Sequence, residues 1–365
     1  MRWSWTIARI RGINIDIHAT FLLLLAWIAL VSYGQAHTPG AAIAAVLLTL
    51  VIFASVVLHE FGHATVAARF GIKTRSITLL PIGGIAHIER MPERPRQELA
   101  IAIAGPIVTI AIVVVLYAAL RLTGHSTTAS TSLAAPWSFA AQTMWVNIVL
   151  AVFNLLPAFP MDGGRVLRAA LAMRMSFAQA TELAARIGKV FALLFALAGL
   201  FVVGNPFLVV IAAFVWLSAA AEANAAQLKD TVSGVPVAQA MITDIRALEP
   251  GQPVSAAIEE VRAGFQHDFP IVHDHTVAGM LTREDLLGAL AHGRADVPVA
   301  DVMHRDFAAT TPDESIERAM ERLRDCHCRT LPVMRGREVV GLLTAEKISE
   351  FVMIASASRT GKKAA

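Results

Sequence analysis

The sequence predicts a polytopic α-helical membrane protein with about six transmembrane helices, followed by a smaller α/β domain. Of its 365 residues 56% are hydrophobic and only 16% are charged, and the mean hydropathy is +0.59. A soluble chain of this length requires more charge at its surface, so we expect much of this one to face lipid. The apolar excess is confined to residues 19–226, after which charge returns at a density ordinary for globular proteins. We therefore predict a membrane-embedded domain at residues 1–226 and a separate domain beyond it.

Six segments are long and apolar enough to cross a bilayer, which takes about 20 apolar residues. They are residues 19–34, 41–69, 99–121, 138–157, 187–203 and 206–226. The residues before the first span are basic and amphipathic, and they lack the apolar core of a signal peptide. We therefore interpret residues 19–34 as a retained span.

Lysine and arginine are confined to alternate loops. They precede the first span and occupy the loops after the second and fourth spans, whereas the loops at 35–40, 122–137 and 204–205 contain none. Because positively charged loops stay in the cytosol, this pattern predicts a multi-pass cell-membrane protein. Its N-terminus and its C-terminal domain are both expected to be cytosolic.

The second predicted span ends in a His-Glu-x-x-His sequence, His59–His63. Two histidines four residues apart lie on one face of a helix, so both imidazoles can bind a single zinc ion. Glu60, beside the first histidine, can accept a proton from water at such a site. Each ionisable residue in a span costs about 2.5–3.5 kcal/mol, and a bound metal ion would offset that cost. We predict one Zn²⁺ per chain, roughly 9–15 Å below the membrane edge if Arg69 marks that edge.

A zinc ion that keeps one position open for water requires a third protein ligand. Asp162 is the best candidate, because Pro157 and Pro160 end the fourth span early and force an extended segment. Such backbone is tolerated inside a membrane only where protein buries it or where it lines a wet cavity. The alternative is that Asp162 only caps the following helix.

Two asparagines of the fourth span are candidates for stabilising a developing oxyanion. These residues are Asn147 and Asn154, and Asn154 lies eight residues before Asp162. The alternative for both is a hydrogen bond to a neighbouring helix.

With these motifs the membrane domain resembles the site-2 protease family of intramembrane zinc metalloproteases. That family pairs HExxH on one span with Asn-x-x-Pro-x-x-Pro-x-Asp-Gly on a later one, and both are present here without departure, as His59–His63 and Asn154–Gly163. The resemblance covers about residues 1–226. It implies that His59, His63 and Asp162 bind zinc, that Glu60 is the general base, and that Asn154 helps hold the substrate carbonyl or its oxyanion. It also implies an endopeptidase that cleaves single-span membrane proteins in regulated intramembrane proteolysis.

Residues 74–89, between the second and third spans, are too short and too rich in β-branched residues for a span. They predict two strands, 76–80 and 85–88, around a Gly83-Gly84 turn. A hairpin beside the active site can present an edge to which an unwound substrate adds as a strand. The alternative is an amphipathic hairpin at the membrane surface.

Residues 236–355 contain a gapless internal duplication with an offset of 62 residues. Pro236, Gly279 and Thr282, for example, recur as Pro298, Gly341 and Thr344. Such a repeat predicts two copies of one α/β unit, which we place at residues 236–291 and 298–355.

The duplication resembles a pair of CBS domains, named for cystathionine β-synthase. Such pairs commonly bind adenine nucleotides through a Thr/Ser-x-x-Asp element, and the first copy retains it as Thr282 and Asp285, suited to a phosphate and a ribose. The second copy has Lys347 in place of the carboxylate. The resemblance implies at most one well-formed ribose site and a regulatory role. A purely structural role, or homodimer formation through the pair, is the alternative.

The two cysteines, Cys326 and Cys328, are expected to remain unbridged, because a disulfide at that spacing is not comfortable. Two rival interpretations of the whole chain are a CBS-regulated transporter or channel that uses the His/Asp cluster as an ion site, and a degenerate protease that acts as a scaffold. Glu60 argues against the first, since transport requires no general base. No nucleic-acid partner is expected.

Overall fold

The structure is a computed structural model that describes residues 3–81, 83–88, 94–128, 136–264, 266–274 and 276–364. It divides into two compact units, Met1–Ala226 and Gln227–Ala365. We call them the membrane unit and the C-terminal unit, and each is described by itself.

The membrane unit is built on seven helices in its described residues. They are α1 (Ala19–Ala36), α2 (Pro39–Arg69), α3 (Pro95–Leu122), α4 (Pro136–Asn154), α5 (Asp162–Ala172), α6 (Phe177–Leu197, extended by a π-helical turn at Ala198–Val202) and α7 (Pro206–Val232). Five of them, α1, α2, α3, α6 and α7, are long and apolar enough to cross a membrane. The polytopic fold expected from composition is therefore confirmed.

Several predicted spans differ from the observed helices at their ends: α3 begins four residues earlier, at Pro95, and α7 continues six residues further, to Val232. Two other differences have a clear local cause. The fourth, predicted at 138–157, ends at Asn154, because Pro157 and Pro160 exclude the helix from the segment that follows. Its apolar part, Ser138–Asn154, is shorter than the other spans. The fifth, predicted from residue 187, begins at Phe177, and the Ser176 hydroxyl caps it by accepting from the amide of Gln179 at 3.3 Å.

A four-stranded sheet accompanies these helices. Its strands are β1 (Ser4–Ile10), β2 (Ile13–His18), β3 (Thr74–Leu80) and β4 (Gly83–Ile88), in the order β1-β2-β3-β4. The β3–β4 hairpin predicted from sequence is confirmed, but the predicted turn was misplaced, since Gly83 and Gly84 lie in β4 and pair with Leu80 and Leu79. The N-terminal strands were missed, although Trp3, Trp5 and Ile7 alternate with a period of two. Strand β2 pairs in parallel with β3, so the chain before α1 is tied to the hairpin after α2.

The C-terminal unit contains the same elements twice. The first copy has α8 (Val254–Ala263), β5 (Phe269–His273), β6 (Thr276–Leu281) and α9 (Arg283–Ala291). The second has α10 (Ile316–Asp325), β7 (Thr330–Arg335), β8 (Glu338–Thr344) and α11 (Ala345–Ala364). In each copy the two strands form an antiparallel pair.

The two copies exchange the segments that precede their first helices. Ile242, from the start of the first copy, pairs with Leu342 on β8 of the second, and the equivalent His304 pairs with Met280 on β6 of the first. Accordingly Val237 is buried in the core of the second copy and Val299 in the core of the first. Each hydrophobic core therefore requires both halves of the duplication.

The expectation that the cysteines stay unbridged was wrong for this structure, in which Cys326 and Cys328 form a disulfide. His327 between them adopts a left-handed conformation with φ of 55°. The two Cα atoms are 5.2 Å apart, within the range that a disulfide requires.

Candidate metal centre

Three buried side chains from two separate helices meet inside the membrane unit. His59 and His63 lie on α2, and Asp162 is the first residue of α5. Asp162 Oδ2 lies 3.0 Å from His59 Nε2 and 3.1 Å from His63 Nε2, and the two Nε2 atoms are 3.1 Å apart. The predicted ligand set is therefore assembled in one place.

The segment between α4 and α5 brings Asp162 to this position. It folds back tightly on the first turn of α5, where a Cβ on Gly163 would lie 2.2 Å from the carbonyl oxygen of Leu156. The N-cap of α5 is Met161, while Asp162 contacts the two histidines. The alternative in which Asp162 merely caps the next helix is therefore not favoured by the geometry.

Helix α3 supports both imidazoles from the far side of each ring. His63 Nδ1 lies 2.7 Å from the carbonyl oxygen of Ile101, and His59 Nδ1 lies 2.8 Å from the Thr109 hydroxyl. The sequence analysis missed both contacts. Thr109 had a usable signal, as a polar residue in an apolar span, whereas a backbone carbonyl leaves none.

In a neutral imidazole one ring nitrogen carries the hydrogen, and these contacts determine which one it is. The Ile101 carbonyl can only accept, so Nδ1 of His63 carries the hydrogen and Nε2 of the neutral ring presents a lone pair. The Thr109 hydroxyl donates to the Gly105 carbonyl at 3.4 Å, which leaves its oxygen to accept from His59 in the same way. Two lone pairs and a carboxylate oxygen then face one another, an arrangement that calls for a cation between them. The donor set fits zinc, which binds imidazole and carboxylate.

Gly105 allows α3 to approach this closely. A Cβ at this position would lie 2.2 Å from His63 Nε2 and 2.6 Å from His59 Nε2. Such separations are far inside van der Waals contact, so only glycine is compatible with the observed site. No inspection of a single sequence distinguishes this glycine from one that simply lies in a span.

Glu60 is half-buried beside the histidines and lies against the sheet. A Cβ on Gly84 of β4 would be 3.1 Å from Glu60 Cγ and 3.7 Å from Glu60 Oε1. Strand β4 is the last strand of the sheet among the described residues. The edge of β4 that pairs with no described strand therefore begins next to Glu60 of the HExxH motif.

The two asparagines of α4 occupy different environments. Asn147 is fully buried, and its Nδ2 donates to the Ser55 hydroxyl at 3.2 Å and to the Thr143 carbonyl at 2.9 Å. It joins α4 to α2, which favours the helix-contact interpretation for this residue. Asn154 is half-buried at the last position of α4, where the segment leading to Asp162 begins.

In the C-terminal unit, Thr282 and Asp285 are also brought together. The Thr282 amide and hydroxyl donate to Asp285 Oδ2 at 2.9 and 2.6 Å, and the Asp285 amide donates back to the hydroxyl, forming a capping box on α9. The other oxygen, Oδ1, lies 2.9 Å from His304 Nε2. Both residues predicted to bind a nucleotide thus have structural contacts of their own.

The membrane unit combines apolar helices long enough to cross a membrane with a buried His/His/Asp donor set and an adjacent glutamate. These features define a membrane-embedded metallohydrolase. Comparison with known proteins agrees. The chain matches peptidase family M50 over residues 47–197 and the CBS domain over residues 237–292 and 299–354.

Individual relatives cover both parts of the chain. The zinc metalloprotease MJ0392 of Methanocaldococcus jannaschii is 32% identical over 77% of this chain and 78% of its own length. The solved structure of the site-2 protease from the same organism is 36% identical, with a TM-score of 0.45, over 60% of this chain and 95% of that one. The CBS domain-containing protein YhcV of Bacillus subtilis is 28% identical over 29% of this chain and 78% of its own length.

The chain therefore belongs to peptidase family M50, the site-2 protease family. It is a multi-pass membrane metalloprotease with a C-terminal CBS pair. The transporter and scaffold interpretations lose their support, because the family is one of peptidases and the His/Glu/Asp residues are all retained.

Proposed function

We propose that this protein is an intramembrane zinc endopeptidase that hydrolyses peptide bonds of membrane-anchored proteins in regulated intramembrane proteolysis. One observation carries the proposal. The Nε2 atoms of His59 and His63 and Oδ2 of Asp162 lie within 3.1 Å of one another, in a buried site with Glu60 at its edge. Membership of the site-2 protease family supports the same activity, and the substrates proposed are single-span membrane proteins.

His59, His63 and Asp162 would hold one zinc ion, which when bound supplies Lewis-acid chemistry that polarises a carbonyl group and makes water more acidic. Glu60 accepts a proton from the water that attacks the peptide carbonyl carbon. A new C–O bond forms, the C–N bond breaks, and Glu60 delivers the proton to the departing amide nitrogen. Asn154 donates a hydrogen bond from Nδ2 to the carbonyl oxygen as that oxygen gains negative charge.

The edge of β4 is the proposed binding site for the substrate backbone. A helical substrate has no free backbone amides and must unwind locally before its peptide bonds can be attacked. An unwound segment that pairs with β4 recovers those hydrogen bonds and runs past Gly84, which packs against Glu60. Addition to this edge would therefore align a peptide bond with the general base.

We further propose that the N-terminus and the CBS pair are cytosolic. The arginine and lysine residues that precede α1 and follow α2 support this orientation under the positive-inside rule. Arg69 ends α2 only six residues after His63, so the peptide bond would be cut near the cytosolic face.

For the CBS pair we propose regulation through an adenine nucleotide bound near Thr282 and Asp285. Occupation of the site by a ribose would require Asp285 to exchange its contact with His304 for one with the ligand. A structural role, or homodimer formation through the pair, is the outcome if no nucleotide binds.

Glu60→Gln tests the activity. The variant should retain one zinc ion per chain, because the ligands are unchanged, and should lose cleavage, because an amide cannot accept the proton. Comparing the membrane proteomes of cells that carry wild type or Glu60→Gln should show uncleaved substrates accumulating with the variant. Glu182→Gln, which changes a partly exposed glutamate of α6, is the control and should leave cleavage unchanged. Persistent cleavage with Glu60→Gln would exclude the mechanism.

Strand addition has its own test. In a peptide substrate identified this way, N-methylation of successive backbone amides should impair cleavage at every second position, since alternate amides of a paired strand face its neighbour. An effect of equal size at all positions would argue against pairing with β4.

A further inference from the structure

A buried arginine on α5 links the helix that carries Asp162 to two other helices. Arg168 lies in the membrane unit and is only 2% exposed, which is unusual for a charged side chain. Its Nε donates to Oε1 of Glu98 on α3 at 2.8 Å, and Nη2 donates to the same oxygen. Its Nη1 donates to Glu222 on α7. The guanidinium is thus bound on two sides by carboxylates from different helices.

Two aromatic rings lie against the guanidinium. Its Cζ lies 5.0 Å from the ring centroid of Phe159 and 4.9 Å from that of Phe177. Phe159 belongs to the segment that delivers Asp162, and Phe177 is the first residue of α6. Arg168 therefore contacts the chain on both sides of α5, in contacts of the cation–π type.

The partner helix, α3, is the one that supports the histidines. Glu98 lies one turn before Ile101, whose carbonyl accepts from His63. Gly105 and Thr109 follow on the same helix. The Arg168–Glu98 ion pair thus directly joins the helix that orients the imidazoles to the helix that supplies the carboxylate.

Stability alone does not explain this arrangement. The cost of removing two charges from water largely cancels their attraction, and replacing a buried ion pair by apolar residues of similar volume is often neutral or stabilising. What such a pair does supply is a defined geometry, because the planar guanidinium accepts partners only in certain directions.

We propose that Arg168 is a positioning residue that, by binding Glu98, fixes α5 against α3 and so holds Asp162 at binding distance from His59 and His63. The proposal rests on the metal-binding roles proposed above for these three residues. Arg168 acts through Asp162 and does not itself touch the metal or the substrate.

The test uses the full-length protein in lipid nanodiscs. In the double variant Arg168→Met/Glu98→Leu both charges of the buried pair are removed together. Glu222 also loses its partner, but its side chain is 31% exposed, so no charge is left fully buried and alone. We expect the metal-free double variant to unfold at the wild-type temperature. Its zinc dissociation constant, measured by competition with a chelator, should rise about 10- to 100-fold, as is typical when support of a ligand is lost. The visible absorption bands of the Co²⁺-substituted protein, which report coordination geometry, should change as well.

Two further variants complete the test. Arg186→Met/Glu182→Leu removes an exposed ion pair on α6 and serves as the matched control, with zinc affinity and Co²⁺ spectrum expected to equal those of wild type. Arg168→Lys retains a cation for Glu98 but not the planar donor arrangement, so its zinc affinity should lie between those of wild type and the double variant. The lysine variant decides the outcome if the double variant does not fold.

Wild-type zinc affinity and spectrum in Arg168→Lys and in a folded double variant would overturn the positioning role. Asp162→Ala separates this result from failure of the proposed metal site. If Asp162→Ala binds zinc like wild type, the site itself is wrong. If it loses zinc while the Arg168 variants retain wild-type affinity, only the positioning role is wrong.

Discussion

The Nδ1 atom of His63 lies 2.7 Å from the carbonyl oxygen of Ile101, and this contact determines which nitrogen of the neutral ring carries the hydrogen. Because a carbonyl can only accept, the second nitrogen of the neutral imidazole must present its lone pair to the buried cluster. Helix α3 thus acts as the support of the metal centre. Three of the predictions below test close contacts between separate elements, at Thr109, Gly105 and Gly341.

Thr109→Val should weaken zinc binding while the fold is retained. The substitution keeps the shape of the side chain but removes the hydroxyl that lies 2.8 Å from His59 Nδ1. Loss of such a contact typically lowers metal affinity about 10- to 100-fold. Chelator competition on the purified protein measures the change. Thr123→Val, at the exposed C-cap of the same helix, should bind zinc like wild type, and equal affinities for all three proteins would contradict the prediction.

Gly105→Ala should abolish zinc binding and cleavage together. The added methyl group would lie 2.2 Å from His63 Nε2, so either the ring or α3 must move. Zinc content per purified chain, measured by elemental analysis, should fall well below one. Gly34→Ala, on α1 where a Cβ would meet nothing within 4 Å, is the control. A Gly105→Ala protein with a full complement of zinc would show that the close approach is not required.

Gly341→Ala should destabilise the C-terminal unit. A Cβ there would lie 2.6 Å from the carbonyl oxygen of Ile242, in the segment exchanged from the other copy. Overpacking of this kind costs about 1–3 kcal/mol. Hydrogen exchange of the β7 and β8 amides reports the local free energy of opening. Gly288→Ala, in α9 with open space around it, should be neutral or slightly stabilising. Unchanged exchange in Gly341→Ala would mean that the exchanged segment is not held as observed.

Asp285→Ala should remove adenine-nucleotide binding, if the CBS pair has such a site. Titration of ATP, ADP and AMP onto the full-length protein should saturate at no more than one nucleotide per chain, because the second copy has Lys347 at the equivalent position. Lys347→Ala should leave binding unchanged. Asp285→Ala should also lower stability, whether or not a nucleotide binds, because the Thr282 amide loses the side-chain acceptor that completes the capping box. Saturation at two nucleotides per chain, or loss of binding in Lys347→Ala, would contradict the assignment. No binding at millimolar concentrations would leave the structural role.

Several features were open to prediction because they depend on local periodicity. The spacing of His59 and His63 places both rings on one helical face wherever that helix lies. Pro157 and Pro160 end α4 by their own geometry, which is why Asp162 could be proposed as a ligand. The duplication is visible directly in the sequence, because identical residues recur 62 positions apart. Hydropathy determines the membrane helices in the same way, although the ends of α4 and α6 were misplaced by several residues.

Other features arise only when distant segments pack together. Pairing of β2 with β3, support of the histidines by Ile101 and Thr109, and the contact of Arg168 with Glu98 all join residues that no local pattern relates. Exchange between the two CBS copies is of the same kind, since either arrangement would satisfy the same alternation of apolar residues. By itself, the sequence determined a membrane metalloprotease motif and a repeated C-terminal unit. The tertiary structure decided which helix orients the ligands and how α5 is held, because those outcomes depend on side-chain volumes and buried hydrogen bonds between elements far apart in the chain.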